Sequence, residues 1–131
     1  MTIDSFATLL DAARARPETQ LMLLTFAAME AEPGMPDRQA LTPVACVDKR
    51  APDIASFAAL ADEAHGALGG AQWDVLLVST LSGSALQWPD ERQAEAALRA
   101  MIAAIRLGRM EKMLAFDRAG MPLRWAAQAV R

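Results

Sequence analysis

The aliphatic run from Val75 to Val78 places the strongest constraint on how this chain can fold. Its four residues lie between Gly69-Gly70 and the small polar segment Ser82-Gly83-Ser84. A short, continuous apolar run that is bounded by turn residues is typical of a strand buried on both faces of a sheet. The sequence therefore predicts a central strand with helices on both sides of its sheet.

The flanking segments carry alternating helix and strand signals. Three segments repeat apolar residues at spacings of three and four, which predicts helices at 6–13, 54–68 and 90–107. Asp90 with Gln93 resembles a capping box, and Gly108 is placed to end the third helix. Further strands are predicted at 20–29, 42–48, 112–116 and 121–125, with the central strand at 73–81. The segment 30–40 is rich in Pro and Gly and predicts an irregular loop.

These elements predict a single domain over residues 1–131, of the α/β (α+β mixed) class. The expected architecture is a five-stranded mixed sheet with three helices, in the order α-β-β-α-β-α-β-β. Right-handed crossovers would make the strands at 42–48, 73–81 and 112–116 parallel. The last strand is expected to return antiparallel through the turn Asp117-Arg118-Ala119-Gly120. The direction of the first strand stays open.

Composition narrows the possible partners. The formal net charge is -3 and no basic patch occurs, so nucleic acid and anionic lipid are not expected to bind. Cys46 is the only cysteine and His65 the only histidine, which leaves no disulfide and no metal-ligand spacing, and we expect no cofactor. Cys46 is predicted to be buried. An acidic N-terminus and the lack of a membrane-length apolar run favour a cytoplasmic location.

Polar side chains follow three strands that are predicted to be parallel. The carboxyl ends of parallel strands are where open α/β sheets bind ligands. The predicted ligand-binding residues are Asp48, Lys49, Ser82, Ser84, Asp117 and Arg118. Their mix of charges suits a small zwitterion or carboxylate, with Arg118 as the bidentate anchor. The alternative is that Asp48–Arg118 or Lys49–Asp117 are ordinary ion pairs.

The leading functional hypothesis is association rather than catalysis. Hydrophobic residues make up 53% of the chain, and it contains no recognisable catalytic constellation. Trp88, in the loop before the third helix, is the candidate interface residue, because exposed aromatic side chains are enriched where proteins meet. We therefore expect a homodimer with a regulatory or scaffolding role. The alternative is a small-molecule-binding protein or an enzyme that uses the strand-end residues.

Three short segments also suggest a family. Cys46-Val47-Asp48-Lys49, Leu81-Ser82-Gly83 and the segment from Phe116 to Gly120 resemble a family of short proteobacterial proteins that often carry the label "ribonucleotide reductase subunit alpha". The catalytic subunit of that reductase is several times longer and uses several cysteines, whereas this chain has one. The resemblance therefore implies a shared domain and assigns no catalytic residue.

Overall fold

The secondary structure follows the predicted order of elements. A computed structural model describes residues 3–32 and 34–124. Within these ranges the helices are α1 (Phe6–Arg14), α2 (Phe57–Ala67) and α3 (Glu91–Arg106), with a 3-10 turn at Ala51–Asp53. The strands are β1 (Gln20–Glu32), β2 (Met35–Arg50), β3 (Val75–Ser82), β4 (Leu114–Phe116) and β5 (Pro122–Leu123). Trp125 and the tail at 126–131 lie outside the described residues.

The five strands form one sheet in the order β2-β1-β3-β4-β5, and every neighbouring pair is antiparallel. The α+β class is confirmed, but the predicted mixed sheet is wrong. β2 and β3 run in the same direction because both are antiparallel to β1, which lies between them. The crossover rule considers only strands that follow one another in sequence. It therefore cannot predict that β1 lies between β2 and β3.

β4, unlike β2 and β3, runs against its predicted direction. The crossover rule predicts parallel strands when the connection carries the chain back across the whole sheet, so that both strands start at the same end. Seven residues follow α3 before β4 begins, and they consist mostly of turns. This segment returns the chain to mid-sheet, where Leu114 pairs with Val78 and Phe116 with Leu76. β4 is therefore antiparallel to β3.

The described residues of the predicted loop at 30–40 belong instead mostly to β1 and β2, which form a long antiparallel pair. β1 and β2 pair from Leu21↔Arg50 to Glu32↔Met35, with register shifts after Phe26 and after Ala31. Because β2 is an edge strand, prolines such as Pro36 and Pro43 can lie in it without removing an interior ladder bond. Edge position therefore explains why the Pro-rich segment is extended.

Helices cover the sheet on both faces, as the apolar run in β3 predicts. α1 and α2 pack on one face and α3 packs on the other. The buried core on the α1–α2 side consists of Phe6, Leu9, Leu10, Ala13, Met22, Leu24, Phe26, Ala51, Ile54, Leu60, Ala64, Trp73, Leu76, Val78 and Phe116. The core on the α3 side consists of Leu21, Leu23, Ala27, Val75, Leu77, Ala94, Met101, Ile105 and Ala115. Alternate residues of β3 enter opposite cores, which fixes its register in the sheet.

Local capping explains where α3 begins and ends. The Asp90 carboxylate accepts from the Gln93 backbone N–H at 2.8 Å, and the Gln93 side chain accepts from the Asp90 N–H at 2.8 Å. This confirms the predicted capping box. Gly108 has φ of +73°, the left-handed conformation that glycine adopts readily after a helix.

Candidate functional site

The antiparallel sheet separates the six predicted ligand-binding residues into two groups. Asp48 and Lys49 near the end of β2 lie at the same end of the sheet as Ser82, because Gln20 of β1 pairs with Ser82 and Leu21 pairs with Arg50. Asp117 follows β4, which runs the opposite way, so it lies at the other end of the sheet. The prediction that all six residues converge is therefore wrong.

Asp117 and Arg118 have structural partners at their own end of the sheet. One carboxylate oxygen of Asp117 accepts from the backbone N–H groups of Ala119 at 2.8 Å and Met121 at 3.0 Å, which holds the β4–β5 turn. Arg118 donates to the Gln72 side chain at 3.3 Å, and its guanidinium lies 5.5 Å from the centre of the Trp73 ring. Neither residue is available to anchor a carboxylate near Ser82.

At the other end of the sheet, Lys49 and the two serines also have protein partners. The Lys49 ammonium lies 2.6 Å from the Glu63 carboxylate on α2. The Ser82 hydroxyl bonds to the side chain of buried Gln20, whose Nε2 is 2.9 Å away. The Ser84 hydroxyl accepts from the Gln87 N–H at 3.0 Å and so shapes the loop before α3. The predicted ion pairs with Asp117 and Arg118 are wrong as well.

A cleft of about 420 Å³ lies beside Asp48 and the start of α3. Its charged lining residues are Asp48, Lys49, Arg50, Asp53, Asp90 and Glu91. Lys49 is already paired with Glu63, which leaves an excess of carboxylates in the cleft. In residues 3–32 and 34–124, no group of three or more His, Cys, Asp or Glu side chains is arranged to hold a metal ion. An acidic cleft disfavours the carboxylate ligand that the sequence predicts.

Trp88 lies beside this cleft and is half-buried rather than exposed. The Arg50 guanidinium sits 4.7 Å from the centre of its ring, a cation–π contact. Trp88 also lines a crevice of about 170 Å³ together with Arg14, Arg16 and Glu18. Trp88 therefore belongs to a packed corner at the end of β2. Its predicted role as an interface anchor has no direct support from this position.

The Glu18 carboxylate is the exception among the polar groups of this corner. Its Oε1 atom is inaccessible to solvent and has no hydrogen-bond partner in the described part of the chain. Arg16 Nε lies 3.5 Å away, which is close enough for an ion pair but does not meet hydrogen-bond geometry. The Glu18 side chain as a whole is 42% exposed, so a rotation of the carboxylate would bring this oxygen to a donor that enters the crevice.

A groove with apolar walls lies where α3 passes over β2. Cys46 of β2 is exposed there, which corrects the prediction that it is buried. Cys46, Leu98, Ile102 and Ala103 line this groove of about 480 Å³, here called the α3–β2 groove. Its rim is formed by the charged side chains of Glu95, Arg99 and Arg106.

The predicted site residues do not include this groove, although α3 carries a signal for it. At 100° per residue, an arc of about 140° contains the apolar positions Ala94, Ala97, Leu98, Met101, Ile102 and Ile105. The three fully buried positions, Ala94, Met101 and Ile105, cover only about 40° of that arc. Leu98 and Ile102 lie toward one side of the arc and are half-buried. The apolar arc of α3 is wider than its contact with the core requires. This excess width predicts a second contact for the helix.

Comparisons with known proteins identify no relative of this chain. No protein family, no curated protein and no solved structure matches it. The family resemblance drawn from the short segments therefore stays a prediction. Among the residues described, no helix combines the length and apolar character needed to cross a membrane.

Proposed function

We propose that this protein acts as a homodimer whose interface includes the α3–β2 groove. The observation that carries the proposal is the apolar side of α3, where Leu98 and Ile102 stay half-exposed beside exposed Cys46. Apolar surface that adjoins a charged rim is the usual composition of a protein interface. A regulatory or scaffolding role in the cytoplasm is part of this proposal.

The charges of the groove support a second copy of the chain as the partner. Glu95 lies at the N-terminal end of the groove side of α3, and Arg106 lies at its C-terminal end. A two-fold interface applies the same surface to itself in reverse order, so opposite charges at the two ends become complementary. A patch of one sign would instead favour a partner of the opposite charge.

Light scattering after size exclusion tests this proposal. At micromolar concentration we expect twice the 14.1 kDa mass of a single chain. The Ile102→Glu variant should have the mass of one chain, because a charge would enter an apolar contact. Leu86→Glu is the matched control, since Leu86 is 97% exposed in the loop before α3 and far from the groove. A single-chain mass for the unmodified protein would refute the proposal.

A second candidate function is binding of a small zwitterion in the crevice beside Trp88. Its support is the buried Glu18 Oε1, which has no hydrogen-bond donor in the described structure. An ammonium group of the ligand would supply that donor. Arg16 and Arg14 line the same crevice and are suited to a carboxylate, although Arg14 also donates to the Ile54 carbonyl oxygen.

A thermal-shift series with free amino acids tests this second candidate. We expect at least one of them to raise the melting temperature of the unmodified protein, and we expect Glu18→Gln to remove that rise. Glu111→Gln, on the exposed segment before β4, is the matched control and should keep it. The same rise in all three proteins would place binding elsewhere, and no rise at all would eliminate this class of ligand.

A further inference from the structure

The α3–β2 groove alone is too small for a stable dimer interface. α3 has 16 residues, and a helix of that length is roughly 24 Å long and 10 Å wide. Its outward projection therefore covers on the order of 240 Å². Stable interfaces bury about 800 Å² on each partner. A second element next to α3 must therefore contribute to the contact.

The edge of β2 is the element that lies next to α3 on this side of the molecule. β2 is the outermost strand of the sheet, and no strand in the described ranges pairs with its outer side. Pro43 lacks an N–H, and the register shift between Phe26 and Ala27 leaves Val44 as an extra residue. Regular pairing with another strand is therefore interrupted at this point, and the continuous stretch that lies beside α3 is Ala45–Arg50, roughly 20 Å long.

We infer that two copies of the chain join β2 to β2 and α3 to α3 about one two-fold axis perpendicular to the sheet. This inference rests on the proposed function, since it specifies the geometry of the same dimer. Such an axis makes the two β2 edges antiparallel, which extends the sheet from one copy into the other. It also places both α3 helices on the same face of the joined sheet, antiparallel to each other.

The spacing of residues on α3 fits this arrangement. Glu95 lies five positions before Ala100, and Arg106 lies five positions after Met101. An antiparallel pair of helices centred between Ala100 and Met101 therefore places Glu95 opposite Arg106 of the second copy. The same centre places Leu98 opposite Ala103 of the second copy, and Arg99 opposite Ile102. Each interface then contains two equivalent Glu95–Arg106 charge pairs at its ends, and between them the aliphatic part of each Arg99 side chain can pack on Ile102 of the other copy.

Charge reversal at the two ends of the helix tests this geometry. The Glu95→Arg variant would bring two arginines together at each pair, and Arg106→Glu would bring two glutamates together. We expect each variant to weaken the dimer by roughly tenfold or more, because like charges meet across the interface. An equimolar mixture of the two variants should form a heterodimer, since each reversed charge then faces its opposite.

The mixture separates contacts between chains from effects within one chain. Glu95 forms an ion pair with Arg99 of its own helix, and the Glu95→Arg change removes this pair from the chain that carries it, both alone and in the mixture. Mixing cannot restore that intrachain pair, so recovery of the dimer mass would come only from contacts between chains. Lys112→Glu, a charge reversal on the exposed segment before β4, is the control and should leave the dimer unchanged.

Each outcome decides between the two proposals. Two results would overturn the antiparallel α3 geometry. One is a dimer affinity that neither single charge reversal changes, and the other is a mixture of the two variants that does not regain the dimer. If Ile102→Glu still dissociates the dimer in that case, the proposed function stands without this geometry. An unmodified protein with the mass of one chain would remove both proposals together.

Discussion

Replacement of Leu77 by alanine measures how much of the stability depends on the central strand. Leu77 is fully buried on β3, between Thr25 of β1 and Ala115 of β4, in the core that faces α3. The change removes three carbon atoms, and their transfer from water contributes about 0.8 kcal/mol each. The remaining cavity adds to this loss, because a close-packed core relaxes only in part. The expected loss in free energy of unfolding is about 2.7–5 kcal/mol.

Urea denaturation followed by circular dichroism provides the measurement. With a slope of about 2 kcal/mol per molar, the midpoint should fall by about 1.4–2.5 M. Both proteins must be measured at the same concentration, because dimerisation would make stability depend on concentration. Leu86→Ala is the control, and its free energy should change by less than about 0.5 kcal/mol, since this residue is exposed. A loss below about 1 kcal/mol for Leu77→Ala would mean that the strand does not lie between two packed layers.

Other substitutions test single contacts. Asp90→Ala should lower the free energy of unfolding by about 1 kcal/mol, measured in urea, because it removes the capping box of α3. Gly83→Ala should lower the melting temperature more than Asp90→Ala does, since a Cβ at residue 83 would lie 2.3 Å from the Gln87 carbonyl oxygen. Arg118→Ala should change the free energy by less than about 1 kcal/mol, because the Arg118 side chain is exposed and its hydrogen bond to Gln72 lies at the surface. Cys46 should react with a thiol reagent quickly in dilute protein and slowly at concentrations where the proposed dimer forms.

Local patterns predict the elements of this fold better than they predict its connections. The apolar run at Val75–Val78 indicates a buried strand, and the Asp90–Gln93 spacing indicates the start of α3, because each signal lies within one element. The neighbours of a strand depend on contacts between segments that are distant in sequence. β1 pairs on both sides, with β2 and with β3, and no local signal specifies the second pairing.

The candidate site was difficult to predict for the same reason. Asp48 lies near the end of β2 and Asp117 directly follows β4. The direction of β4 decides whether the two residues share an end of the sheet, and that direction depends on where the chain after α3 leads. The exposure of Cys46 depends on β2 being an edge strand, which no local pattern indicates. Only the width of the apolar arc on α3 was accessible from the sequence as a sign of the α3–β2 groove.

The distribution of free strand edges explains why the proposed association would stop at two copies. An exposed edge strand can pair with further chains without limit unless the protein blocks it. Among the described residues, the sheet ends on one side in β5, which pairs at Pro122 and Leu123. On the other side, a two-fold contact would occupy Ala45–Arg50 of β2 in both copies. Pro36, Pro43 and the register shift beside Pro43 interrupt the rest of the β2 edge, which hinders its pairing with a third chain.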